Sequence, residues 1–141
     1  MELGIKSKVA VVAGSSQGLG RAIAMALAEE GVDLVINSRS AEKLATVKAE
    51  IIEATGANVE AVACDLTPAG GAADLIGAAE AAFGKVDILI TNTGGPPAGM
   101  FEDHSAEVWR DAIAQNFESV LNLVRAALPG MKDRRWGRIV N

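Results

Sequence analysis

Residues 8–20 read Lys-Val-Ala-Val-Val-Ala-Gly-Ser-Ser-Gln-Gly-Leu-Gly, a short apolar run that ends in three glycines and leads straight into a helical pattern. A backbone of this kind can bind phosphate. Glycine permits a tight turn and lets a ligand approach main-chain N–H groups with no Cβ in the way, while the free N–H groups and dipole of the following helix attract negative charge. The spacing of Gly14, Gly18 and Gly20 differs from the G-x-G-x-x-G dinucleotide fingerprint. It also differs from the Walker loop, whose last glycine precedes a lysine; here Arg21 follows Gly20.

Three more polar positions follow apolar runs: Ser38-Arg39, Asp65-Leu66 and Asn92-Thr93-Gly94. Arg39 bears on the type of ligand. A site for NAD places Asp or Glu about 20 residues beyond the glycine loop, to accept a hydrogen bond from the ribose 2′-hydroxyl. Arg39 stands nineteen residues past Gly20, and no acid occurs between Gly31 and Glu42 except Asp33. A guanidinium can clamp a 2′-phosphate through two hydrogen bonds, whereas a carboxylate would repel it, so NADP(H) is the expected cofactor. The competing reading is a solvated arginine near a helix start, where positive charge opposes the dipole.

Alternating elements are needed to bring these positions together. Strand signals cover residues 8–13, 32–37, 59–64 and 86–91, and residues 137–141 look like the beginning of a fifth strand. Leu19, Ile23, Ala26 and Leu27 share one face of a first helix that Gly31 stops. Ser40 caps a second, with Leu44, Val47, Ile51 and Ile52 on its apolar side and Gly56 at its end. Asp65 and Pro68 suggest a cap and first helical position for a third helix running to about Gly84, although Gly70, Gly71 and Gly77 weaken it. Residues 92–99 form a glycine- and proline-rich loop. Ser105 then opens a helical region through Trp109, Ile113, Phe117, Leu121 and Val124, expected to break at Pro129. This order predicts a single α/β domain over residues 1–141, a Rossmann-type doubly wound parallel sheet that stops within its fifth strand. Ligands of such sheets lie beyond the carboxyl ends of the strands, where all four polar positions fall.

Composition sets the remaining bounds. Half of the 141 residues are hydrophobic and 4% aromatic, which suits helices packed on a sheet. The net charge of −5 argues against a nucleic-acid surface, which needs a basic face. Cys64 is the one cysteine, compatible with a reducing compartment and expected to be a small buried hydrophobe. No apolar run is long enough to span a membrane and the N-terminus lacks a signal peptide's apolar core, so a cytoplasmic protein is expected. His104 has no nucleophile or metal-ligand partner at useful spacing. The basic run Lys132, Arg134, Arg135 and Arg138 reads as solvated, and Met25, Met100 and Met131 read as core or lid contacts.

The segment Ala13-Gly-Ser-Ser-Gln-Gly-Leu-Gly20 resembles the Thr-Gly-x-x-x-Gly-x-Gly loop of the short-chain dehydrogenase/reductases, departing only at the opening threonine. Asn92-Thr-Gly94 resembles the second half of that family's Asn-Asn-Ala-Gly motif, and Asn116-Phe-Glu-Ser-Val resembles the asparagine segment of its long fifth helix. The likeness covers the whole chain, in order, and is greatest to the 3-oxoacyl-acyl-carrier-protein reductase branch. It implies that Gly14, Ser15, Ser16, Gly18, Leu19 and Gly20 hold the adenosine phosphates and pyrophosphate, with Ser38 and Arg39 at the 2′-phosphate. Asp65 and Leu66 would hold the adenine ring, and Asn92, Thr93 and Gly94 would pass near the ribose and nicotinamide, Asn92 also tying adjacent strands together. No metal is implied.

Asn116 alone matches the family's catalytic set of Asn, Ser, Tyr and Lys. The chain contains no tyrosine. The resemblance therefore implies the cofactor-binding part of an NADP(H)-dependent oxidoreductase acting on a small carbonyl or alcohol substrate, inactive as 141 residues alone and a homotetramer when complete. A dinucleotide-binding module or sensor without redox activity is the alternative. A fragment ending inside a strand would also expose a sticky edge.

Overall fold

The computed structural model describes residues 3–141. The chain runs β1 (Val9–Val12), α1 (Gly18–Glu29), β2 (Asp33–Ser38), α2 (Ala41–Thr55), β3 (Val59–Ala63), α3 (Gly71–Phe83) and β4 (Ile88–Ile90). It continues through α4 (Ala106–Ile113), a π-helical segment (Ala114–Glu118), α5 (Ser119–Asp133) and β5 (Arg138–Val140). All strand pairs are parallel, in the order β3-β2-β1-β4-β5. This is the doubly wound, Rossmann-type α/β architecture that the alternating pattern predicts.

Successive residues of a strand point to opposite faces, and here both faces are covered, which is why the strands are apolar without alternation. Ala10, Val12, Leu34, Ile36, Ile88 and Ile90 pack with Ala24 and Ala28 of α1 and with Leu44, Val47 and Ile51 of α2. Val11, Ala13, Val35 and Leu89 face the other way, against Leu75, Ile76 and Ala79 of α3 and Leu123, Ala127 and Met131 of α5. Moving outward from β1, the chain builds β2 and β3, then returns across the sheet to lay β4 on the other side of β1. The strand order thus reverses between β1 and β4. A crevice opens at such a reversal, because the flanking connections leave in opposite directions.

A buried carboxylate pins the opposite end of the sheet. Asp87 is 2% exposed. Its Oδ2 accepts from the Val9 amide at 3.1 Å and lies 3.0 Å from Lys85 Nζ, while Oδ1 lies 3.7 Å from Arg134 Nε. Arg134 also donates to the Val86 carbonyl at 2.5 Å. One side chain therefore joins β1, β4 and the end of α5.

These contacts account for departures from the local sequence signals. Pro129 does not break α5, which continues to Asp133. Burial of Met131 and the Arg134 contacts hold its last turn in place despite the hydrogen bond that proline cannot donate. Arg134 is consequently not merely solvated, and Arg138 lies 4.9 Å over the Trp136 ring. Helix α3 begins at Gly71 rather than at Pro68, because Asp65 bonds the Thr67 amide at 2.9 Å in a local turn and the chain closes a second turn from Gly71 N–H to the Pro68 carbonyl. Of the apolar positions expected along the last helical region, Trp109, Ile113, Phe117 and Leu121 are exposed and Val124 packs at the edge of the core, while Ser119, Leu123, Ala127 and Met131 form the buried face of α5. Met131 is core and Met25 packs at its edge, but Met100 is exposed.

Asp87→Ala should destabilise the protein by about 2–3 kcal/mol, since it leaves the Val9 amide without its acceptor and the two cations without a counter-charge. Asp87→Asn should cost less, because the amide oxygen can still accept from Val9. Urea denaturation measures both, and equal stability of Asp87→Ala and wild type would contradict this account.

Candidate functional site

At the carboxyl ends of the strands the β1–β4 reversal opens into a groove with a cavity of about 550 Å³. The glycine loop forms its floor. Gly14 and Gly18 adopt φ values of +59° and +55°, a left-handed conformation that a Cβ disfavours. A Cβ on Gly14 would fall 2.8 Å from Asn92 Nδ2, and one on Gly20 would meet both the Gly14 carbonyl and Asn92. The reason for this crowding is a pair of hydrogen bonds. Asn92 Nδ2 donates to the carbonyls of Gly14 at 3.1 Å and Ala13 at 3.4 Å, so the end of β4 grips the loop from beneath.

Helix α1 starts at Gly18 and differs from α2 and α4 at this end. Ser40 caps α2 by accepting from the Lys43 amide, and Ser105 caps α4 by accepting from Val108. Nothing comparable caps α1, and no acid occupies its first turn. Its leading N–H groups are therefore available to an anion, and a Cβ at Gly18 would project into open space. A cradle without side chains, a helix with uncapped donors and a groove of this volume fit the diphosphate of a dinucleotide.

The β2 end supplies the second wall. Asn37 is buried, and its Nδ2 donates to the carbonyls of Val62 and Cys64 at 3.0 and 3.2 Å. Ser15 is buried as well: its amide donates to the Asn37 carbonyl at 2.8 Å, and its hydroxyl accepts from the Asn37 amide at 2.9 Å. These bonds fasten the glycine loop to β2. Ser38 and exposed Arg39 follow, and the Arg39 guanidinium forms no hydrogen bond or ion pair with the described residues. Asp65, Leu66 and Cys64 line the β3 side. The hydrogen bonds from Thr67 hold the Asp65 carboxyl below its ordinary range, with a smaller contribution from Arg39, so it remains ionised at neutral pH.

The π-helical segment closes the β4 side. A π turn shifts the helical hydrogen bonds by one residue, leaving carbonyls that need other donors. Here side chains provide them: Asn116 Nδ2 donates to Ala112 at 2.9 Å and Ser119 Oγ donates to Gln115 at 2.5 Å. Thr93 Oγ1 donates to Asn116 Oδ1 at 3.0 Å, linking the loop after β4 to the segment. Asn116 thus sits beside the groove through Thr93.

Eleven of the expected positions line one groove: Gly14, Ser16, Gly18, Leu19, Ser38, Arg39, Asp65, Leu66, Asn92, Thr93 and Gly94. Ser15, Gly20 and Asn116 lie behind its wall and shape it. Gln17, Lys43, Gln115 and Ser119 also line it without having been singled out. Gln17 lay inside the loop motif, but the other three depend on helix packing that local spacing does not reveal. Cys64 is only half-buried and faces the groove, contrary to the expectation of a core residue. Burial raises its thiol pKa above the ordinary value of 9.0, more than the Asn37 hydrogen bond lowers it.

Two measurements follow from this geometry. Gly20→Ala should destabilise the fold by about 1–3 kcal/mol through overpacking against Gly14 and Asn92, read as a shifted urea midpoint. Iodoacetamide should label Cys64 more slowly at pH 7 in the folded protein than in the urea-unfolded chain, with the rate rising as pH passes 9, because only the thiolate reacts. Faster labelling of the folded protein at pH 7 would contradict a raised pKa.

The short chain dehydrogenase family model matches residues 8–141. Among curated proteins, D-beta-hydroxybutyrate dehydrogenase of Cupriavidus necator is 38% identical over 97% of this chain and 53% of its own length. The 3-oxoacyl-[acyl-carrier-protein] reductase of Staphylococcus aureus is 32% identical over 96% of this chain and 55% of its own. The chain therefore spans about half the length of the curated relatives it matches. L-Sorbose reductase from Gluconobacter frateurii, solved with NADPH and L-sorbose, superimposes with a TM-score of 0.94 at 32% identity, covering 99% of this chain and 53% of that one. With its glycine loop gripped by Asn92 and its strands in the order 3-2-1-4-5, this chain belongs to the short-chain dehydrogenase family.

Proposed function

We propose that residues 1–141 form the cofactor-binding part of an NADP(H)-dependent oxidoreductase that interconverts a carbonyl and an alcohol. Arg39 carries the choice of cofactor. Arg39 lines the groove at the end of β2 and forms no ion pair among the described residues, at the position where an NAD site would present an acid. The crystal structures of related proteins with NADPH or NADP support a nicotinamide dinucleotide in the family.

When bound, the nicotinamide supplies hydride transfer; this chain's residues bind and orient the cofactor. The uncapped N–H groups of α1 and the Gly14–Gly20 loop hold its diphosphate. Arg39 and Ser38 meet the 2′-phosphate, Asp65 and Leu66 border the adenine, and Thr93 and Gly94 border the nicotinamide ribose. Asn116, bridged by Thr93 and Ala112, stands where the family resemblance puts the asparagine of a proton relay. With no tyrosine among the 141 residues, the tyrosine acid of that relay would have to come from further chain, and residues 1–141 alone would bind cofactor without turnover.

The same reading accounts for the uncovered helix face. Trp109, Ile113, Phe117 and Leu121 are 45%, 50%, 60% and 40% exposed, spaced four apart along α4, the π segment and α5. An apolar stripe of this length suits helix pairing between copies of the chain, as in a homotetramer. The one cysteine, unable to form an internal disulfide, accords with a cytoplasmic setting.

Calorimetric titration of the full-length protein should give tighter binding of NADPH than of NADH, and Arg39→Asp should reverse the order. An affinity ratio unchanged by Arg39→Asp would defeat the cofactor assignment. Phe117→Glu should reduce the oligomer to smaller species in sedimentation velocity; an unchanged sedimentation coefficient would remove the stripe from the interface.

A further inference from the structure

We propose that Lys43 is a second specificity-determining residue of the groove, its ammonium joining Arg39 on the cofactor's 2′-phosphate. The inference rests on the NADP(H) reading above and extends it to a residue that no motif singles out.

The argument begins with the positive charges near the glycine loop. Arg21, Arg39 and Lys43 all lie around its outer end. Arg21 is already engaged: its Nε and Nη2 donate to Glu50 Oε2 at 3.1 and 2.6 Å, which joins α1 to α2 and compensates its charge. Lys43 forms no ion pair among the described residues. Its Nζ instead donates to the neutral side chain of Gln17, at 3.4 Å, from the first turn of α2 to the start of α1.

Geometry then limits what this lysine can meet. Lys43 and Arg39 line the same cavity, and Asp65 is the one other charged residue on its wall. The Asp65 carboxylate is turned to the Thr67 amide. Lys43 also borders a recess of about 240 Å³ shared with Ser16, Gln17 and Gly18, whose one carboxylate, Glu50, is engaged by Arg21. Lys43 therefore borders both spaces, and its ammonium is held by one long hydrogen bond to a neutral acceptor. A dianionic phosphate near Arg39 offers it a stronger partner than the Gln17 amide oxygen, because it adds the attraction of opposite charges to the hydrogen bond, which a neutral amide cannot. Exchange of Gln17 for phosphate requires only rotation of the exposed lysine side chain.

The test uses the full-length protein and four ligands: NADPH, NADH, 2′,5′-ADP and 5′-AMP, titrated by calorimetry into wild type, Lys43→Ala, Lys43→Arg and Arg39→Ala. Lys43→Ala should lower the NADPH-to-NADH affinity ratio, and the 2′,5′-ADP-to-5′-AMP ratio, about five- to tenfold. Lys43→Arg should restore most of both ratios, and added salt should weaken 2′,5′-ADP binding less steeply in Lys43→Ala than in wild type. Ratios within twofold of wild type for Lys43→Ala, alongside a collapse for Arg39→Ala, would overturn the role of Lys43 and leave the NADP(H) reading intact. A wild type without preference for the 2′-phosphorylated ligands would overturn both.

Discussion

The grip of Asn92 on the glycine loop is the contact on which the site depends. By donating to the carbonyls of Ala13 and Gly14, its amide turns those acceptors inward and fixes the loop against the end of β4. Gly14 and Gly20 lack side chains because the Asn92 amide occupies the space a Cβ would need. The loop is thus held from below by polar bonds and left bare above, so its ligand-facing side consists of backbone. A site that binds phosphate through N–H groups requires this division, since a loop fixed from above would block its own ligand.

The rest of the groove repeats the same economy of polar groups. Ser15 and Asn37 use their buried hydrogen-bonding capacity to lock β1, β2 and β3 at one level, so that Arg39 and Asp65 emerge from adjacent strands along one wall. Across the groove, the π turn obliges Asn116 and Ser119 to bond carbonyls that regular helix hydrogen bonding would have satisfied. That arrangement orients the Asn116 amide and brings Gln115 and Ser119 to the wall. Far from the site, Asp87 joins the amino ends of β1 and β4 to α5, stabilising the strand pair whose other end opens as the crevice.

Strand order and charge distribution act together on function. Placing β4 beside β1 brings Asn92 under a loop 78 residues earlier, and placing β2 on the other side brings Arg39 to the same groove. In a chain of net charge −5, the cations near this groove are local features. One of them, Arg21, is paired with a carboxylate, whereas Arg39 and Lys43 form no ion pair among the described residues. This local imbalance, rather than the overall charge, is what an anionic cofactor would meet.

The alternating apolar runs and glycine stops determined the parallel α/β fold, because strands joined through helices must run the same way and their carboxyl ends must collect on one edge. The glycine spacing, Arg39, Asp65 and Asn92 were legible for the same reason, each directly following a strand. Tertiary structure decided what local signals leave open. Whether Pro129 ended α5 depended on the burial of Met131 and the reach of Arg134, and whether Pro68 began α3 depended on a turn closed by Asp65. Ser15 became a fastening and Cys64 a groove residue only through their distance from Asn37. Lys43, Gln115 and Ser119 entered the site because α2 packed on one face of the sheet and α5, with the π segment before it, on the other, so that their ends converged at its edge. Sequence periodicity reports which face of a helix is apolar; it does not report what that face or its ends will meet, because those contacts come from residues distant in the chain.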